Sequence, residues 1–360
     1  MVIKSLGIEN FRNIEKLNIE PCDNVNVIFG ENAQGKTNIT EALWLFTGCR
    51  SFRGSRDREM IKFGEERARL GLSFMTNSRE KEMNIEIAEK KKVSLNGIDF
   101  PTPAKSVGEF LAVVFSPVHL SLIKDGPGER RKFLDIAISQ LRPQYASYLV
   151  KYNRVITQRN AVLKDIPYNS GLYDMLDVFD SEAAAYAAKI ALYRKSYLEK
   201  LSKEAQQIYS GISSGREKLS VEYIQCEERE NFTDSGAYLE KIKKARKNDI
   251  MNGTTSVGIH REDIEISIDG NSARKYGSQG QQRSCALALK LGEATMIKNI
   301  TGEQPVALLD DVMSELDFSR QDYILNHIKD WQVFITCCSP DTISNLKQGK
   351  SFHIKNGKVI

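Results

Sequence analysis

The period of apolar positions changes twice along the chain. Val25–Phe29 (VNVIF) is a short apolar run, which predicts a buried strand. A glycine-rich turn and a helical pattern, TNITEALWLF, follow it. ARLGLSFM and MNIEIA read as further strands and Asn96-Gly97 as a turn. FLAVVF (Phe110–Phe115) reads as another buried strand, closed by Ser116-Pro117. From about residue 129 the spacing becomes helical. Leu134, Ile138, Leu141, Tyr145, Tyr148, Tyr152 and Val155 recur every three or four residues. Pro143 must kink this helix or open a second one. A second stripe passes through Tyr186, Ile190, Tyr193, Tyr197 and Leu201, and the turn-rich PYNSG joins the two. This pattern predicts a mainly helical arm folded back as a hairpin. Beyond about 255 strand patterns return in TTSVGIH and in DIEISID, which alternates Ile264, Ile266 and Ile268. A long helix is expected after Gly280, and QPVALLD and QVFITCC read as apolar strands.

Composition narrows the class. With 360 residues, 41% hydrophobic and 27% charged, the chain suits a soluble globular protein of two or three lobes. No run approaches the roughly 18 apolar residues of a membrane helix, and MVIKSLGIENFRN lacks a signal-peptide core, so a cytoplasmic protein is expected. Cys22, Cys49, Cys226, Cys285, Cys337 and Cys338 form no C-x-x-C pair, and only four histidines are present. Neither a cysteine metal site nor a disulfide framework is expected. The net charge of +4 permits a nucleic-acid partner without requiring one. Residues 126–250 carry the excess, with 21 Lys+Arg against 17 Asp+Glu.

Three segments carry chemistry. Gly30-Glu31-Asn32-Ala33-Gln34-Gly35-Lys36-Thr37 matches G-x-x-x-x-G-K-[ST] between an apolar strand and a helix. Such a loop wraps phosphate oxygens with backbone N–H groups; Lys36 would reach the β- and γ-phosphates and the Thr37 hydroxyl would ligate Mg2+. VALLDD (Val306–Asp311) is an apolar strand ending in two carboxylates. Asp310 would stand on the Mg2+ side and Asp311 would act on the attacking water as general base. Taken singly, it is also an ordinary strand ending in solvated aspartates. Ser278-Gln279-Gly280-Gln281-Gln282 precedes a helical segment with Ser278 as N-cap, and by itself is simply a capped helix start.

In combination, the loop, SxGQQ, hhhhDD and Ser314-Glu315-Leu316-Asp317 resemble the Walker A, signature, Walker B and D-loop order of an ABC-type ATPase head. The wide separation of Lys36 and Asp310, with a helical hairpin between, is similar to the SMC group rather than to transporter cassettes. LGIENFRNIEKL, ENAQGKTNITEAL, RRKFLD, QRNAVLK, SVGIHRED, SQGQQRS and LLDDVMSELD resemble the RecF family across essentially the whole chain.

The resemblance implies an α/β ABC-type ATPase head, formed by residues 1–124 and 251–360, with an inserted mainly helical arm at 125–250. It implies ATP and Mg2+ as cofactors, with Lys36, Asp310 and Asp311 catalytic and Gly30 to Thr37 cradling the phosphates. Arg12 matches an arginine near those phosphates. Ser278, Gly280 and Gln281 would touch the γ-phosphate held by a second copy, giving an ATP-dependent homodimer, and Asp317 would link the two sites. Implied partners are DNA, as duplex, gap or single-strand/duplex junction, together with RecR and RecO, and no membrane. The implied role is recombinase loading, replication restart and SOS induction. Two stretches offer basic charge to DNA: Arg50, Arg53, Arg56, Arg58 and Lys62, and Lys241, Lys243, Lys244, Arg246 and Lys247. The chain departs from the pattern at Asp311, where many ABC heads carry Glu, which suggests slow turnover. It departs also at Val118 and His119, where acidic residues are usual, and after QVFIT, where Thr336 stands near a position often held by histidine.

Overall fold

The computed structural model describes residues 1–225, 234–338 and 349–360, and only the backbone of Glu315. Cys226 lies outside the described residues. The chain divides into two compact units: Met1–Leu120, Gln207–Arg216 and Arg283–Ile360 form the first, and Ser121–Gln206 and Glu217–Gln282 the second.

The first unit holds two six-stranded sheets. One is antiparallel, in the order β2-β1-β4-β5-β6-β7. Its strands are β1 (Val2–Phe11), β2 (Ile14–Ile19), β4 (Ala68–Thr76), β5 (Arg79–Ile87), β6 (Lys92–Leu95) and β7 (Ile98–Asp99). β4 alternates buried Leu70, Leu72 and Phe74 with more exposed Arg69, Gly71 and Ser73, the pattern of a sheet with one face on a core. Asn96-Gly97 turns β6 into β7, both residues at positive φ as a tight hairpin requires.

The other sheet has the order β15-β14-β3-β13-β12-β8. Its strands are β3 (Val25–Phe29), β8 (Ala112–Phe115), β12 (Val306–Asp310), β13 (Val333–Cys337), β14 (Gly349–Lys355) and β15 (Lys358–Val359). β14, β3, β13, β12 and β8 run parallel. β8, β12 and β13 are buried at every residue, which explains their unbroken apolar sequences. α1 (Lys36–Leu45) packs against β12, β13 and β8 and is buried throughout residues 39–45. α9 (Phe318–His327) follows β12.

The second unit contains α2 (Ser121–Lys124), α3 (Pro127–Leu141), α4 (Pro143–Asp165), α6 (Ser235–Asn252), α7 (Ala273–Tyr276) and most of α5 (Met175–Ser213). Pro143 opens a helix rather than kinking one, because α3 has already ended at Leu141. β9 (Leu219–Ile224), β10 (Asp263–Ile268) and β11 (Asn271–Ser272) form a small antiparallel sheet. α8 (Gln279–Thr301) begins at the signature segment, and the division between the units falls at residue 282 within it.

TTSVGIH, read from sequence as a strand, forms no strand. Its polar groups serve buried partners instead. Thr255 accepts from Arg159, Ser256 donates to Asp249, the Ile259 carbonyl accepts from Arg194, and His260 meets the Tyr152 hydroxyl. Arg159, Asp180 and Asp249 are all fully buried, so these ion pairs tie α4, α5 and α6 together, beside an apolar cluster of Val162, Leu163, Leu176, Phe179 and Ile250 from the same helices. Glu262, next in the chain, accepts from the hydroxyls of Tyr223 and Tyr238.

Candidate nucleotide-binding site

Parallel strands deliver the chemistry to one edge. β3 ends at Phe29 and hands the chain to Gly30; in the next strand Cys337 pairs with Phe29, and Thr336 in turn pairs with Asp310 of β12. The loop that follows β3 enters α1 through Gly35, and no side chain caps the helix. Uncapped N–H groups at a helix start carry partial positive charge and suit an anion. Lys36 is only 4% exposed, and its ammonium donates to the carbonyls of Gly30 (2.8 Å) and Glu31 (2.9 Å). The charge is therefore folded inward on the loop that would surround a phosphate.

The β14–β15 hairpin holds this loop. Asn356 N donates to Gln34 Oε1 (2.6 Å) and Gly357 N donates to the Gln34 carbonyl (2.9 Å). Gly30 has φ 151°, and a Cβ there would stand 2.3 Å from the Ile354 carbonyl oxygen, so β14 crosses too closely for any larger residue. Ala33 adopts φ 65° without being glycine. Asn13 reaches the same loop, its Nδ2 donating to the Ala33 carbonyl at 3.4 Å, and accepts from Asn38 Nδ2 of α1 at 2.8 Å.

Asp310 is 5% exposed. Its Oδ1 takes hydroxyls from Thr336 (3.0 Å) and Thr40 (3.1 Å). Burial pushes the Asp310 carboxyl above the usual carboxylate range and the charge of Asp311 adds to this, while bonds from Thr336, Thr37 and Thr40 oppose it. A hydroxyl from Thr37 beside the Asp310 carboxylate is an all-oxygen donor set, which fits Mg2+. Asp311 has φ 51°, and its N donates to Thr336 Oγ1 at 2.9 Å.

The remaining sequence-derived residues divide by location. Arg12 lies in the first unit, where its guanidinium bonds both oxygens of the fully buried Glu41 (2.8 and 3.0 Å), Ser55 and the Glu59 carbonyl. Asp317 caps α9 by accepting from Arg320 N (3.0 Å), and also pairs with the Arg320 guanidinium. Val118 is half exposed, while His119 Nδ1 closes its own turn by accepting from Ser116 N at 3.0 Å. In the second unit Ser278 Oγ accepts from Gln281 N (3.2 Å) and Gln281 Oε1 accepts from Ser278 N (2.8 Å). This reciprocal box closes a helix start at which Ser278 and Gln279 are exposed and Gly280 and Gln281 half-buried.

Sequence reasoning missed Thr40 and Glu41. Thr40 lies one helical turn from Thr37, a usable signal, whereas the gathering of Arg12, Arg53 and Ser51 on Glu41 comes from distant positions.

The basic stretches differ in availability. Arg50, Arg56 and Arg58 are exposed, whereas Arg53 is drawn to Asn38 and Glu41, and Lys62 to Glu15. On α6, Lys243 pairs with Asp177, Lys244 with Glu240, and Arg246 with Asp177 and Asp180. By contrast, Lys151 of α4 stands 6.0 Å from the Tyr186 ring centroid and Lys189 of α5 stands 5.1 Å from that of Tyr148. Both lysines are exposed, and neither has a carboxylate partner among the described residues.

Among the described residues no helix is long and apolar enough to cross a membrane. A family model described as an AAA ATPase domain matches residues 1–286. The chain is 42% identical to the DNA replication and repair protein RecF of Agathobacter rectalis, covering 100% of this chain and 99% of that one. It is 40% identical to RecF of Clostridium perfringens, with the same coverage. Among solved structures, the recombination mediator protein RecF with ATP, in the RecFOR pathway, superimposes with a TM-score of 0.92 at 38% identity, over 100% of this chain and 97% of that one. The Smc head domain of Pyrococcus furiosus shares the fold, with a TM-score of 0.57 at 16% identity over 100% of this chain and 96% of that one. The α/β head expected from the motifs is thus the observed fold class, and the chain belongs to the RecF family of DNA replication and repair proteins.

Proposed function

We propose that the protein is an ATP-dependent DNA-binding switch of recombinational repair and replication restart. The head would be built from residues 1–124 and 251–360, and the arm from 125–250. The observation that carries the reading is that Lys36 and Thr37, at the start of the helix after β3, and Asp310, at the end of β12, lie at the same edge of the parallel sheet, with β13 between the two strands. The ATP-bound RecF relatives support the ligand.

On binding, Lys36 would exchange its two carbonyl partners for phosphate oxygens, and α1 would present its free N–H groups. Mg2+ held by Thr37 and Asp310 would neutralise phosphate charge. Asp311 is held beside Asp310 to take a proton from the attacking water. One methylene shorter than glutamate, it suits slow turnover.

Ser278, Gly280 and Gln281 form a capped helix start, and the exposure of Ser278 supports a γ-phosphate contact in a second copy, with Asp317 linking the sites. A monomer would then own half of each site, and ATP would drive dimerisation by binding the dimer better than the monomer. DNA as duplex, gap or junction, recombinase loading with RecO and RecR, SOS induction and a cytoplasmic location are the partner and cellular terms of the same reading.

Gel filtration with and without Mg2+-ATP tests it. Wild-type protein is expected to dimerise with ATP, and Ser278→Arg to bind ATP but stay monomeric. Equal dimerisation of the two rejects the shared site. DNA anisotropy on gapped, duplex and single-stranded substrates is expected to rise with ATP, and equal affinity without ATP rejects the switch.

A further inference from the structure

Thr336 occupies the strand end where a histidine is usual in many ABC heads, and its surroundings give it work of its own. It lies on β13 in register with Asp310 on β12 and is 1% exposed. Its Oγ1 makes contacts in two directions. It receives the Asp311 backbone N–H at 2.9 Å and reaches Asp310 Oδ1 at 3.0 Å. A longer approach, 3.4 Å, relates it to Asp311 Oδ1. A hydroxyl has one proton and two lone pairs, so accepting from a backbone N–H and donating to a carboxylate uses it well.

Two consequences follow for the carboxylates. Thr336 and Thr40 both reach the same oxygen of Asp310, so Oδ1 is committed and the carboxyl plane is fixed. Neither of these hydroxyls uses Oδ2, the oxygen that would be offered to Mg2+. Asp311, meanwhile, adopts φ 51°, a region disfavoured for a residue with a Cβ. The bond from its N–H to Thr336 anchors that turn and sets the direction in which its carboxyl leaves the strand. We propose that Thr336 is a positioning residue for ATP hydrolysis: one hydroxyl assigns Asp310 to the metal and Asp311 to the water. The inference rests on the nucleotide reading above and goes beyond it by naming the group that separates the two aspartates' tasks.

Thr336→Val keeps the shape and β-branching and removes the hydroxyl. Thr336→Ser keeps the hydroxyl. Steady-state ATP hydrolysis, Mg2+ titration and binding of a fluorescent ATP analogue without Mg2+ are measured on the full chain with DNA present. For Thr336→Val, kcat is expected to fall about 10- to 100-fold and the Mg2+ half-saturation to rise, with metal-free analogue affinity within about threefold of wild type. Thr336→Ser is expected to recover kcat to within about threefold. If Thr336→Val turns over like wild type, or if Thr336→Ser is as impaired as valine, the proposal is overturned. Should valine fail to fold, Thr336→Ala gives the same reading. Lys36→Ala separates this proposal from its premise: if it binds and hydrolyses ATP like wild type, the nucleotide reading itself fails.

Discussion

The hairpin that grips the phosphate loop offers a direct test of how much of that loop's shape is borrowed. Gly357 has φ 73°, and a Cβ there would lie 2.7 Å from the Asn13 carbonyl oxygen and 3.2 Å from Ile14 Cα. Both are backbone atoms, so no side chain can swing aside. Gly357→Val adds a left-handed cost of about 1–2 kcal/mol to that collision. The turn is expected to lift rather than the sheet to break, because β14 keeps its parallel pairing with β3. Lifting forfeits the bonds from Asn356 N and Gly357 N to Gln34, each worth about 1 kcal/mol. Holding the loop in its wrapped form then costs about 2 kcal/mol more, which weakens nucleotide binding about 30-fold. Titration of a fluorescent ATP analogue reads the change, with circular dichroism as the check on folding. A folded Gly357→Val protein binding within about threefold of wild type would show that the loop keeps its shape unaided, and the reasoning would be wrong.

Other substitutions probe the second unit and its exposed basic charge. Arg159→Leu leaves two buried carboxylates short of a cation and is expected to destabilise the unit by about 3–5 kcal/mol in urea unfolding, more than any exposed arginine; a loss below about 1 kcal/mol would contradict the network's role. Lys151→Glu/Lys189→Glu is expected to weaken DNA binding more than Lys243→Glu/Lys244→Glu, because the α6 lysines are already paired; the reverse order in anisotropy titrations returns the contact to α6. His260 is held below its ordinary pKa of 6.5 by burial, with Arg261 and Arg131 adding repulsion and Thr255 and Asp249 opposing. The unfolded chain therefore binds the extra proton, so this contribution is full above about pH 6.5 and is lost as pH falls below it. His260→Gln should lose stability less steeply than wild type between neutral and mildly acidic pH, and equal slopes would refute the assignment.

Much of the head was legible because its signals are local. The glycine-rich loop, the apolar strands and the Ser278 cap each need only a few neighbouring residues to be recognised. What escaped is relational. Thr336 stood out in the sequence only for lying near a position often held by histidine, and it is the register of β12 against β13 that sets it beside Asp310. The α6 lysines read as a free basic run, but Asp177, which meets Lys243 and Arg246, comes from α5. TTSVGIH has strand-like composition, and only buried partners from α4, α5 and α6 make it a loop. The small sheet of β9 to β11 was half seen, since β10 alternates clearly while Leu219–Ile224 is short and polar on one side.

One feature of the parallel sheet governs how the molecule must be made. β3, which launches the phosphate loop, is flanked on both sides by strands encoded after residue 330, β13 and β14. During synthesis the lysine-bearing loop therefore emerges early and waits, without either neighbour, until the segments beyond residue 330 have been made. Such distant pairing is slow to close and leaves apolar edges open meanwhile. A newborn chain would lack the support on both sides of the phosphate loop until β13 and β14 arrive, so the loop's final shape waits on chain made about 300 residues later.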